Sequence, residues 1–160
     1  MTSGRTVSSV QDALTIALQM LESAKEEVVW IAPSSLLSLC MLYGSVEKTK
    51  TFIQNGGVSR GIVPVSQANI KNIEICLDSG DDVRHADEMQ EFLMFVVDSR
   101  RSISAINIGI DEFTFDTPVV AFWSDDPTYA EYLLASFENA WSQAIPAAQR
   151  MRDLLEHGTE

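Results

Sequence analysis

The sequence predicts a mixed, mainly parallel α/β sheet flanked by helices on both faces. Three observations lead there. Strand-like and helix-like segments alternate through the first half, a hairpin pattern follows in the second half, and amphipathic helices close the chain. Alternation favours parallel strands joined by right-handed crossovers, and a hairpin adds antiparallel ones.

The first helix is predicted over 10–26. Ser9 supplies a capping hydroxyl, Asp12 an acid three residues on, and Val10, Leu14, Ala17, Leu18 and Leu21 recur on one face. Val28-Val29-Trp30-Ile31-Ala32 is a β-branched and aromatic run ended by Pro33, with little polar alternation, so the strand is expected to be buried on both faces. Ser35-Leu36-Leu37 opens a helix that Gly44 interrupts and residues 46–53 resume, closed by Asn55-Gly56-Gly57. A second strand spans 60–65 and a further helix 67–77. Asp78-Ser79-Gly80-Asp81-Asp82 reads as a solvated turn, since its acids lack the alternation, glycine and terminal glutamate of an EF-hand loop. Val83-Arg84-His85 is a short extended piece.

Phe92-Leu93-Met94-Phe95-Val96-Val97 is a nearly unbroken apolar strand. With 103–110, where Ile106, Ile108 and Ile110 alternate with Asn107 and Gly109, it forms the hairpin. Ile106 and Ile108 are expected in the core and Asn107 on the opposite side. Val119 to Trp123 is another strand. Asp126-Pro127 then starts a helix carrying Tyr129, Leu133, Phe137, Ala140 and Trp141, and Pro146 opens a last helical segment.

At 160 residues the chain fits a single domain over 1–160, and 46% hydrophobic content suffices for a packed core. Eleven Lys and Arg stand against 23 Asp and Glu, a formal net charge of −12. That balance argues against direct nucleic-acid binding and against docking on an anionic membrane. Cys40 and Cys76 sit in apolar runs and read as buried thiols, with no zinc or redox spacing. There is no dinucleotide or P-loop motif, so no cofactor and no metal are expected. With no signal-peptide pattern, a cytoplasmic location is expected.

The segments from Ala13-Leu14 to Val28-Val29-Trp30-Ile31, then Gly57-Val58-Ser59-Arg60-Gly61-Ile62-Val63, Val83-Arg84-His85, Phe122-Trp123-Ser124-Asp125-Asp126-Pro127 and Phe137-Glu138-Asn139-Ala140-Trp141, in this order and spacing, resemble one half of the phospholipase D-like fold, in the version found in sensor modules of transcription regulators. Active members of that family carry H-x-K-x-x-x-x-D followed by a small-residue turn and Asn. A histidine attacks phosphorus, while lysine and asparagine hold the phosphoryl oxygens. Here Asp98 takes the motif's aspartate position and Asn107, after Ser104-Ala105-Ile106, that of its asparagine. Glu91 stands where the nucleophile belongs and Leu93 where the lysine belongs. No alignment shift rescues the pair, because Lys25, Lys48, Lys50 and Lys71 all precede both histidines, His85 and His157.

The resemblance therefore implies a domain without phosphodiesterase chemistry, serving as a ligand-sensing or dimerisation module. His85, Glu91, Asp98 and Asn107 are its expected ligand-binding residues, lining a cleft shared by a homodimer around a small-molecule ligand. Two alternatives are a hydrolase using Glu91 and Asp98 as an acid/base pair and an acidic domain that docks on a basic protein partner. The winged helix of the sensor relatives is not seen ahead of Val10, so direct transcriptional control is expected to need a separate chain.

Overall fold

The computed structural model describes residues 2–87, 91–110 and 112–157. The chain opens with an edge strand, β1 (Gly4–Ser9), followed by α1 (Val10–Glu22) and the central strand β2 (Glu27–Ile31). Next come α2 (Ser34–Leu42), α3 (Ser45–Gln54), β3 (Val58–Ile62), a 3-10 turn at Gln67–Asn69, α4 (Ile70–Asp78) and β4 (Asp82–His85). The second half holds β5 (Phe92–Val97), β6 (Arg101–Ile106), β7 (Pro118–Ser124), α5 (Pro127–Gln143), a two-residue β8 (Ile145–Pro146) and α6 (Ala147–His157).

One eight-stranded sheet runs in the order β1-β7-β6-β5-β2-β3-β4-β8. The mixed sheet matches the expectation, but its mainly parallel character does not. Only β2–β3 and β3–β4 pair in parallel; β1–β7, β7–β6, β6–β5, β5–β2 and β4–β8 are antiparallel. The reason is local. Helix crossovers connect β2, β3 and β4, whereas β5 enters beside β2 in the opposite direction and the hairpin builds outward from it.

Helices cover both faces. Val28, Trp30, Val83, Val97 and Ile103 pack on the face that carries α1, α3, α4 and α6. Val29, Ile31, Ile62, Met94 and Val96 pack under α5, which buries Ala130, Leu133, Phe137 and Ala140. The spacing of those four residues is one helical stripe. Asp126 caps α5 through Oδ1, which accepts the Thr128 N–H at 2.9 Å, and Pro127 occupies its first turn. Arg60 fastens the helix to the sheet: it lies 5.1 Å from the Phe137 ring and ion-pairs with Glu138 at 2.6 Å and Glu27 at 3.2 Å.

Gly44, at φ +103°, divides α2 from α3, as the sequence suggested. Beside β2, a Cβ at Gly61 would overlap the Trp30 indole, so the ring takes the space that glycine leaves on β3.

Three other expectations change. Helix α1 stops at Glu22 instead of 26, because the backbone of the next residues is captured by Asp98, as described below. Strand β1 was not expected, since Gly-Arg-Thr-Val-Ser-Ser offers only Val7 to the core. The strand predicted over 103–110 ends at Ile106, and Ile106 and Ile108 are exposed, not core-packed. With β6 in register, Phe92 opposite Ile106, the core side is taken by Ile103 and Ala105, which leaves Ile106 on the other face.

Candidate ligand site

Because β2, β3 and β4 run parallel and β5 opposes them, the starts of β5 and the ends of β4 and β6 lie at one end of the sheet. Glu91 and Asn107 meet there. The Asn107 N–H donates to the Glu91 carbonyl at 2.7 Å, and Oδ1 of Asn107 accepts the Gly109 N–H at 2.9 Å, closing the turn after β6. His85 ends β4 at the same end, but β2 and β3 intervene, three strand steps or roughly 14 Å away.

Asp98 stands at the opposite end of β5, roughly 20 Å from Glu91 at the usual rise per residue. Its carboxylate accepts the backbone N–H groups of Lys25 at 2.9 Å, Glu26 at 2.7 Å and Glu27 at 3.0 Å. Asp98 and Ser99 both have positive φ, as in a type I′ hairpin turn. The single cleft expected around His85, Glu91, Asp98 and Asn107 is therefore not assembled within one chain.

His85 is buried and fully engaged. Its Nδ1 accepts the Val65 N–H at 2.8 Å, which places the ring proton on Nε2, 2.8 Å from Asp87 Oδ1. The imidazole holds the Asp87 carboxyl below its usual range through that hydrogen bond. Leu93, at the motif's lysine position, is 7% exposed and packs with Val10, Leu14 and Phe113.

A concave feature opens beneath the sheet on the side of α1 to α3. A cavity of about 190 Å³ runs between the sheet and helices α1, α2 and α3. Leu18, Leu36, Phe95 and Ala105 give it an apolar wall, Leu93, Asn107 and Ile108 lie toward the carboxyl ends of the parallel strands, and Ser59, Ser79 and Asp81 lie toward their amino ends. Among the described residues, no Lys, Arg or His lines it and Asp81 is its sole carboxylate. Burial pushes both cavity thiols, Cys40 and Cys76, up to about 12, so they stay neutral and unreactive at neutral pH.

Asp81 was expected in a solvated turn, yet it is 9% exposed and its Oδ1 is buried without a hydrogen-bond partner. Burial pushes its carboxyl up to about 6, opposed by the Ser59 hydroxyl and the Trp30 indole N–H and aided by the charge of Asp82. The signal was present in the period of two: Asp81, Val83 and His85 alternate with the outward Asp82 and Arg84, so Asp81 shares the inward face of Val83. Among the described residues, no group of three His, Cys, Asp or Glu side chains gathers to hold a metal ion, and no helix is long and apolar enough to cross a membrane.

No family model and no curated protein matches the sequence. Solved structures do match. Nuc, a phospholipase D family member from Salmonella typhimurium, superposes with a TM-score of 0.69 at 16% identity, covering 91% of this chain and 98% of that one. NucT from Helicobacter pylori gives 0.64 at 12% identity, covering 91% and 99%. TrmBL2, an archaeal chromatin protein with a novel mode of DNA binding, gives 0.67 at 13% identity and covers 89% of this chain; the chain spans only 54% of TrmBL2. The expectation of no direct nucleic-acid contact is corrected by that likeness. A net charge is a sum over the whole surface, whereas contact with phosphates depends on local charge, so −12 does not by itself exclude nucleic acid for such a fold. The chain has a phospholipase D-like fold.

Proposed function

We propose that this chain is a non-catalytic phospholipase D-like module that holds a small apolar molecule between its sheet and helices α1 to α3, and that it pairs with a second copy in signalling or regulation. One observation carries the reading: Leu93 and Asn107, at the positions corresponding to the phosphate-holding lysine and asparagine of active relatives, line the apolar cavity. For phosphoryl transfer these positions need cationic and polar groups facing solvent. Here one is a buried leucine in the cavity wall. Glu91, at the nucleophile position, carries the charge that repels a phosphodiester. An acid/base pair of Glu91 and Asp98 draws no support, since the two stand at opposite ends of β5 and Asp98 is occupied by three backbone N–H groups.

Pairing is supported by an apolar patch on the α5 side of the sheet, where Ile106, Val120, Phe122 and Tyr132 are exposed, Val120 at 81%. Phe122 meets Tyr129 edge-on at 5.5 Å, and Tyr129 stacks with Tyr132 at 6.3 Å. Apolar patches of this kind mark association surfaces.

Two assays test the function. The purified protein is expected to leave a chromogenic phosphodiester uncleaved above a blank; turnover that disappears in His85→Ala would overturn the non-catalytic reading. Thermal denaturation with millimolar n-octanol is expected to raise Tm with a saturating dose dependence. An unchanged or lowered Tm would overturn the cavity reading.

A further inference from the structure

The cavity has a polar end built around a carboxylate. Among the described residues of its wall, only Asp81 carries a charge, and the Ser59 hydroxyl and the Trp30 indole N–H hydrogen-bond its carboxyl. The Ser79 hydroxyl already donates to the Ile75 carbonyl at 2.9 Å, which leaves its lone pairs to accept. Asp81 Oδ1 is buried and takes no hydrogen bond. A buried acceptor left open costs stability, and an open carboxylate oxygen costs more. The fold therefore carries an uncompensated acceptor at the end of an otherwise apolar space.

Resting on the cavity reading above, we propose that Asp81 is the head-group anchor of this cavity and that its ligand is a short linear aliphatic chain ending in a primary ammonium. An ammonium brings three donors and a positive charge; Asp81 Oδ1 offers it the open acceptor and the opposite charge, and the hydroxyl oxygen of Ser59, which already hydrogen-bonds the same carboxyl, lies beside it. A carboxylate or phosphate head meets no cation among the described lining residues and is repelled by Asp81. A neutral alcohol satisfies one acceptor without neutralising the charge. The tail lies along Leu18 and Phe95 toward Ile108. A 150 Å³ apolar cavity accepts benzene, so 190 Å³ suits a chain of modest length, not a membrane lipid.

The experiment is isothermal titration of the full chain at pH 7.5 in 0.3 M NaCl with n-octylamine, n-octanol and octanoate. Asp81→Asn is the test variant, and Asp82→Asn, which removes the exposed neighbouring charge, is the control for surface attraction. The proposal expects octylamine to bind at least tenfold more tightly than octanol, with octanoate not binding. It also expects Asp81→Asn to erase the amine preference while octanol still binds, and Asp82→Asn to change little. If octanol binds and octylamine binds no better, or if the preference survives Asp81→Asn or is lost in Asp82→Asn, the anchor proposal is overturned and the cavity reading stands. If none of the three binds, both fall. Should Asp81→Asn not fold, the indole N–H resonance of Trp30 in the wild-type chain decides. A shift with octylamine and not with octanol supports the anchor, and equal or absent shifts overturn it.

Discussion

The Asp98 carboxylate accepts the backbone N–H of Glu26 at 2.7 Å, and with Lys25 and Glu27 it gathers three consecutive donors at the junction of α1 and β2. In return, the Asp98 N–H donates to the Glu27 carbonyl at 2.8 Å. A residue that matches a catalytic-motif aspartate in sequence thus ties a hairpin turn to the start of the central strand. Asp98→Ala is expected to cost roughly 2 kcal/mol, since charged acceptors of backbone donors are among the stronger hydrogen bonds. Urea denaturation measures this; n-octanol binding by the same variant is expected to be unchanged. A wild-type midpoint would contradict the structural role.

Gly61→Ala is expected to destabilise the chain by about 1–3 kcal/mol or more, because its Cβ overlaps the Trp30 ring at the center of the sheet. Pairing it with Trp30→Leu makes room for the methyl group. The double-mutant cycle is therefore expected to show a favourable coupling energy. Strictly additive losses would show that the contact is not the cause.

Asp81 gives a pH dependence with a definite sign. Its folded carboxyl is pushed from 3.8 up to about 6, so the native state holds this proton more tightly than the unfolded chain. The stability penalty of its charge is complete above about pH 6, shrinks as pH falls and is gone below the unfolded value near 4. The groups facing it are Asp82 beside it and the Cys76 thiol from α4, which stays neutral throughout this range. Two pH units correspond to about 3 kcal/mol. The wild-type chain is expected to gain up to that amount between pH 7 and pH 4 relative to Asp81→Asn, measured by denaturant titration. Parallel pH profiles for the two proteins would contradict it.

The exposed aromatic patch predicts that Phe122→Glu and Val120→Glu shift the chain toward monomer in sedimentation at micromolar concentration while leaving the fold intact, because both side chains already face solvent in one copy. A wild-type chain that is already monomeric at that concentration would remove the pairing.

The hairpin was legible because β5 is an unbroken apolar run and the turn residues Asp98 and Ser99 tolerate positive φ. The parallel core β2–β3–β4 was legible from alternation with helices. Strand order was not. Nothing in Gly-Arg-Thr-Val-Ser-Ser distinguishes an edge strand from a polar lead-in, and the placement of β5 next to β2 is a long-range pairing that local patterns do not encode. The candidate site was partly hidden for a similar reason. Motif spacing located Leu93 and Asn107, which line the cavity, but it also singled out Asp98, which does not, and passed over Asp81, which does. A cluster of acids after glycine looks solvated until the register with Val83 turns one of them inward.

The proposed function requires that the space between the sheet and α1 to α3 receive a small apolar molecule. Its most direct test is calorimetric titration of n-octanol into the wild-type chain and into Ala17→Phe, which places a ring in the cavity from the inner face of α1. The predicted result is saturable binding of one molecule per wild-type chain, with a negative heat-capacity change, and no binding to a folded Ala17→Phe. Absence of saturable binding to the wild type, or equal binding to both proteins, would contradict it.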